Sequence, residues 1–250
     1  MNSYLVYIFI TGMLLSVMLL GIKNGLNSAN RYLAGYFFST SLYCMSIYFF
    51  LFSNSVPLVA FFFSSIPSIY YLIGPLSYFY VRSIVRDDSK LSSLDYLHFL
   101  IFMLTFMGSL PFLFSSWSNK LMVAENLING NIFFTKFQTN VIIPKKLNQL
   151  LRPVHTIFYA ILNWHLLREF WKKAAAYDNR SQYFLIRKWL FAFICLINIA
   201  SIAYLFGLYN MMSLQNKRVF QQSTETILFI IVLSYSLINV CLFLFPKIMY

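Results

Sequence analysis

About seven long apolar stretches, separated by short basic loops, run from one end of this chain to the other. A bilayer core needs about 20 apolar residues for each helical crossing, and the stretches come close to that length. Inside hydrocarbon each segment must satisfy its own backbone N–H and C=O groups, so stretches of this kind fold as helices. The fold class expected is all-α: a polytopic integral membrane helix bundle of about seven transmembrane helices.

The remaining composition fits that solvent. Of 250 residues, 60% are hydrophobic and only 10% charged, where a soluble domain carries about 25% charged residues. No length is left for a separate soluble domain once the crossings are counted, so residues 1–250 read as one transmembrane domain. The formal charge of +12 is spread through the loops rather than gathered on one face. It therefore marks cytoplasmic loops and anionic lipid contact rather than direct nucleic-acid binding. Cys44, Cys195 and Cys241 all lie in apolar runs, and an odd number at lipid depth argues against a disulfide framework.

The expected crossings are 3–22, 32–52, 58–85, 96–114, 153–171, 183–209 and 224–245. The third is interrupted by Pro67 and by Gly74-Pro75, since proline removes one backbone bond and crowds the preceding turn. Pro153 suits the first turn of the fifth crossing. The connection 115–147 is too long for a bare linker; 120–128 has the look of a short helix, 129–131 of a turn, and 132–143 of a surface segment. No basic residue precedes the first crossing, whereas Lys23 and Arg31 follow it. With the N-terminus outside, twelve of the 19 Lys and Arg residues fall on the inner side, as the positive-inside rule requires. Arg152 falls among the outer seven. The orientation expected is N-out and C-in, with 115–147 as the outer loop. Trp117, Trp171, Tyr177 and Trp189 suit interfacial belts.

Gly74-Pro75-Leu76-Ser77-Tyr78-Phe79-Tyr80-Val81-Arg82-Ser83 resembles the "GPLLYFYVKS" stretch of a bacterial family. Leu94-Asp95-Tyr96-Leu97-His98-Phe99 resembles its "LLHFIPF" segment, with Ile101-Phe102 in place of the usual proline region. Phe245-Pro246-Lys247-Ile248-Met249-Tyr250 is similar to its "FPEILYG" junction. The family comprises Bacteroidota AraC-type helix-turn-helix transcriptional regulators, and this chain resembles their N-terminal multi-pass membrane region. The resemblance implies a bacterial inner-membrane protein that relays an extracytoplasmic or intramembrane signal to a cytoplasmic DNA-binding output. In the family the chain continues beyond the position of Tyr250 into that output domain, which is absent here. The partners implied are the lipid bilayer, a helix-turn-helix output domain (fused or separate), a small-molecule or peptide signal, and a second copy in a homodimer. A small permease and a truncated regulator without activity are the alternatives.

No catalytic signature is present: there is no His-Glu-x-x-His, Gly-x-Ser-x-Gly or phosphate-cradling glycine loop. His98, His155 and His165 lack metal-ligand spacing, so no metal, cofactor or enzymatic activity is expected. Asp95 and His98, three apart, share one face at the entry to the fourth crossing. His155, Tyr159 and Asn163 recur every four residues and stack along one face of the fifth. Asn198 lies near the middle of the sixth, and Tyr235 and Asn239 stack in the seventh. Ser64, Ser68 and Tyr71 on the third and Ser39, Tyr43 and Ser46 on the second are further inward-facing candidates. Polar groups at lipid depth turn inward, either to glue helices together or to converge on a mid-depth polar pocket. Gly74 and Pro75 read either as a hinge relaying outer events inward or as a fixed kink.

Overall fold

The computed structural model describes residues 3–21, 27–87, 90–129, 139–174, 180–213 and 217–244. Every regular element among them is helical. In order they are α1 (Ser3–Gly21), α2 (Asn27–Phe52), α3 (Val56–Ser65), α4 (Tyr70–Arg86), α5 (Leu100–Leu113), α6 (Trp117–Ile128), α7 (Lys145–Ala174), α8 (Arg180–Ser213) and α9 (Lys217–Leu244). Short 3₁₀ segments, Pro67–Ile69 and Ser93–Phe99, lead into α4 and α5.

Local chemistry sets several of these boundaries. Pro57 sits in the first turn of α3, where its missing N–H costs nothing. Asp87 stops α4 by adopting a left-handed backbone, φ 52°. Ser92 and Asp95 then form a capping box, the Ser92 N–H and hydroxyl donating to Asp95 Oδ2 at 2.7 and 3.0 Å. That box fixes the turn from α4 into α5.

Among the described residues, four stretches are long and apolar enough to cross a membrane: Tyr4–Gly21, Ala29–Phe52, Ser93–Leu113 and Phe184–Gly207. A shorter apolar run, Thr226–Leu242, lies in α9. Helix α4, 17 residues long and carrying Arg82 and Arg86, is too short and too polar to be such a stretch by itself. Tyr71, Phe79, Tyr80 and Val81 on it are at most 1% exposed, so nothing requires a continuous apolar exterior.

Six helices close into a ring in the order α1–α2–α4–α7–α8–α9, with α9 returning to pack on α1. Helices α3, α5 and α6 form a smaller group outside α2 and α4. One half of the ring is filled by a core in which Tyr36, Tyr80, Trp189 and Phe193 are almost wholly buried. Its outer face is the reverse of a soluble protein's. Leu14 and Val17 on α1, Met103 and Met107 on α5, and Ile202 and Phe206 on α8 are all largely exposed. A water-soluble monomer rarely shows apolar patches beyond a few hundred Å², whereas hydrocarbon is the natural solvent for such a belt.

Two expectations are corrected. The fifth crossing does not start at Pro153: α7 begins eight residues earlier, at Lys145, and carries Pro153 inside it. The carbonyl that this proline leaves without its helical partner belongs to Gln149, which lines a cavity. The break in the third crossing falls at 66–69, ahead of Gly74-Pro75, which lies within continuous α4. Trp189 is buried in the core, 0% exposed, its indole N–H donating to the Tyr80 hydroxyl at 2.6 Å. Trp117 is exposed, as an interfacial residue would be; Tyr177, 130–138 and the 245–250 motif lie outside the described residues.

Candidate functional site: a tyrosine-ringed cavity with one arginine

One end of the ring holds a cavity of about 230 Å³. Its walls come from the ends of helices lying at one end of the bundle. These are the first turn of α1 at Leu5, the last turns of α2 at Tyr43 and Phe50, and the start of α4 at Tyr70. Helix α7 contributes Asn148, Arg152 and Thr156, α8 contributes Ser201 and Tyr204, and α9 contributes Ile227, Ile231 and Tyr235. The spacing 148, 152, 156 explains the α7 wall, because residues four apart lie on one helix face.

A short segment, also part of the wall, borders the cavity from outside the ring. Asn140 Nδ2 donates to the Thr105 carbonyl at 2.8 Å, and its Oδ1 accepts from the Ile142 and Ile143 N–H groups at 3.0 and 2.8 Å. The Val141 N–H donates to the Gly108 carbonyl at 2.9 Å. A Cβ at residue 108 would collide with the Asn140 side chain, so glycine is what lets this loop lie against α5.

Arg152 dominates the electrostatics. Its Nη1 donates a long bond, 3.5 Å, to the Tyr43 hydroxyl, which in turn donates to Tyr204 Oη at 3.2 Å. The guanidinium carbon stands 5.8 Å from the Tyr70 ring centre. Nε is buried without a hydrogen-bond partner. The ion pairs among the described residues, Arg82–Asp95 and Arg86–Glu169, lie elsewhere. Around the arginine the aromatic wall is fixed by its own contacts: Tyr43 and Tyr70 centroids are 4.7 Å apart, and Tyr70 and Tyr204 stack at 5.6 Å. The Tyr70 hydroxyl shares a 2.7 Å bond with Thr156 Oγ1, and Tyr71 donates to Asn148 Oδ1 at 2.6 Å.

The polar residues singled out from sequence do not meet at one point; they divide into three groups. Tyr43, Ser46 and Tyr235 line the cavity. His155, Tyr159 and Asn163 instead face α4 and the entry to α5. Tyr159 Oη is 2.8 Å from His98 Nδ1, and Asn163 Nδ2 donates to Ser77 Oγ at 3.3 Å. His155 is buried between the Tyr71 and Tyr159 rings, with both ring nitrogens unpartnered. Asn239 forms the third group, its Nδ2 donating to Thr11 Oγ1 at 2.9 Å and tying α9 to α1. Asn198 is half-buried on α8 and joins none of these groups. Ser39 and Ser68 are buried, and the Ser64 side chain lies outside the described residues. The three cysteines are unpaired.

Below the cavity, α4 and α7 run parallel along a polar ladder. Its rungs are Tyr70 with Thr156, Gly74 against Tyr159, and Ser77 with Asn163. The rungs recur every three or four residues, the period of a packed helical seam. Beyond it, Arg82 is buried under Asp95, Nη1 to Oδ1 2.6 Å, and donates to the Lys90 carbonyl at 3.0 Å. Its guanidinium also lies 4.7 Å from the Phe79 ring centre. Asp95 and His98 therefore serve different partners. Among the described residues no His, Cys, Asp or Glu cluster of metal-binding size occurs.

Comparison with known proteins gave no match, whether to a family model, a curated protein or a solved structure.

Proposed function

We propose that this chain is a membrane-embedded sensory domain, multi-pass in a bacterial inner membrane, that passes a signal from its cavity to a cytoplasmic output element. In this reading the chain crosses seven times, with the N-terminus and the cavity mouth on the outer side and the end of α9 on the inner side. The observation that carries this reading is the continuity between cavity and ladder. The cavity residues Tyr70 and Thr156 are themselves the first rung of the α4–α7 seam, which ends beside the Arg82–Asp95 pair at the opposite end of the bundle. A ligand that prefers one packing of that seam would shift α4 against α7, and no larger effect than this differential affinity is needed. The AraC-type resemblance supplies the output: a helix-turn-helix held at the inner surface, fused or separate.

Fusion of such a DNA-binding domain after Tyr250, with a reporter gene under its operator, tests the proposal. A membrane-located regulator whose output changes by at least about threefold in Tyr70→Phe/Thr156→Val, which removes the first rung, supports it. Constant output across all rung variants contradicts it. The rival reading is a permease, which requires a through path; the half-ring beneath the cavity is filled by Tyr36, Tyr80, Trp189 and Phe193. Substrate uptake into reconstituted vesicles would decide for the permease.

A further inference from the structure

The sensory reading leaves the ligand's chemistry open, and the cavity's wall constrains it. Two features of that wall are opposite in kind. Arg152 brings a full positive charge into the bundle, where the hydroxyls of Tyr43, Tyr71 and Tyr204 approach it and its Nε is buried and unpartnered. A guanidinium carries five donors in a rigid fork suited to a carboxylate or phosphate. A buried charge without an opposite partner is costly, and within a membrane protein such a group marks a ligand site or ion pathway. Phenol hydroxyls and the Tyr70 ring face offset part of that cost, but they supply no negative charge. Much of the remaining wall is apolar: Ile47, Phe50 and Ile73 on one side, Ile197, Ile227 and Ile231 on the other.

We infer that the cavity binds an amphipathic anion, its carboxylate or phosphate head paired with Arg152 and a short apolar tail lying against the isoleucine wall. At about 30 Å³ for each water-sized group, 230 Å³ holds on the order of eight such groups, the size of a six- to eight-carbon acid. The Tyr43 and Tyr204 hydroxyls flank the head, and Asn148 and Thr156 extend the polar lining along α7. This assignment rests on the sensory reading only for its purpose; occupancy of the cavity stands on the arginine and its wall.

The test uses the full chain in nanodiscs of zwitterionic lipid, titrated with octanoate, octyl phosphate, octanol, acetate and inorganic phosphate by calorimetry. Octanoate or octyl phosphate should bind at least tenfold more tightly than octanol, which lacks the charge, and than acetate or phosphate, which lack the tail. Arg152→Gln should weaken the anion by tenfold or more, and Arg152→Lys by less. Ala200→Phe, which fills the tail space and leaves the arginine in place, should also remove binding, and covers the case in which Arg152→Gln does not fold. Repeating the titration with phosphatidylglycerol in the disc separates sources. Competition assigns the head to a membrane lipid, and its absence assigns it to a free amphiphile; both satisfy the assignment. Equal binding of octanoate and octanol, or unchanged affinity in Arg152→Gln, overturns it. Anion binding that leaves reporter output unchanged would overturn the sensory reading alone.

Discussion

Gly74 shows how one side chain that is missing organises the seam beneath the cavity. A Cβ there would run into the Tyr159 ring, and that ring is held in place by its hydroxyl at His98 Nδ1 and by packing on His155. Gly74→Ala should therefore destabilise the folded protein by about 1–3 kcal/mol, the usual cost of overpacking. The gain in helix propensity, about 1 kcal/mol, does not offset it. Denaturant titration of the detergent-solubilised protein measures this, and Tyr159→Ala in the same chain should remove most of the penalty of Gly74→Ala. Additive losses would show that the two residues do not press on one another. The residue scale is also where sequence reasoning was weakest. Starting the fifth crossing at Pro153 leaves Arg152 among the outer loop charges. The 148–152–156 register, visible in the sequence, belongs to a helix face that a proline-first boundary cut away. The seam residues His155, Tyr159 and Asn163 were legible from their spacing, but their partners on α4 and at His98 depend on which helices neighbour in the ring, and spacing carries no such information.

Between elements, the join of α4 to α5 depends on a buried charge pair. Arg82 and Asp95 are each 8% exposed. The carboxylate also accepts from Ser92, and the guanidinium from Arg82 reaches Lys90 O. Removing either partner leaves a buried charge alone, which costs about 3–5 kcal/mol. Arg82→Met and Asp95→Leu should each lower stability by an amount of that order, while the double variant should recover much of it. A fully additive double variant would mean that the pair is screened and structurally incidental. The Arg86–Glu169 bridge, at 44% and 29% side-chain exposure, is a surface pair of small consequence. Element positions were legible where lipid selects them: α1, α2, α5 and α8 follow directly from apolar runs of span length. The break at 66–69 was less so, because Pro67 and Pro75 present the same chemical interruption. Only tertiary packing distinguishes the one that ends a helix from the one carried inside α4.

At the scale of the whole molecule, the ring has two unlike ends. One end holds the cavity and Arg152, and the other holds the packed aromatic core with the Arg82–Asp95 pair. The proposed sensory role needs such polarity, a recognising end and an acting end joined by the α4–α7 ladder, and it makes topology the decisive property. Two exposed loop residues sample the ends: Asn54, between α2 and α3, and Lys90, between α4 and α5. In a chain with Cys44, Cys195 and Cys241 replaced by alanine, Asn54→Cys and Lys90→Cys give single labelling sites. Treatment of intact cells with a membrane-impermeant thiol reagent should modify residue 54 and leave residue 90 protected until the membrane is opened. Labelling of residue 90 on intact cells, or protection of residue 54, would put the cavity on the wrong side of the membrane and contradict the account.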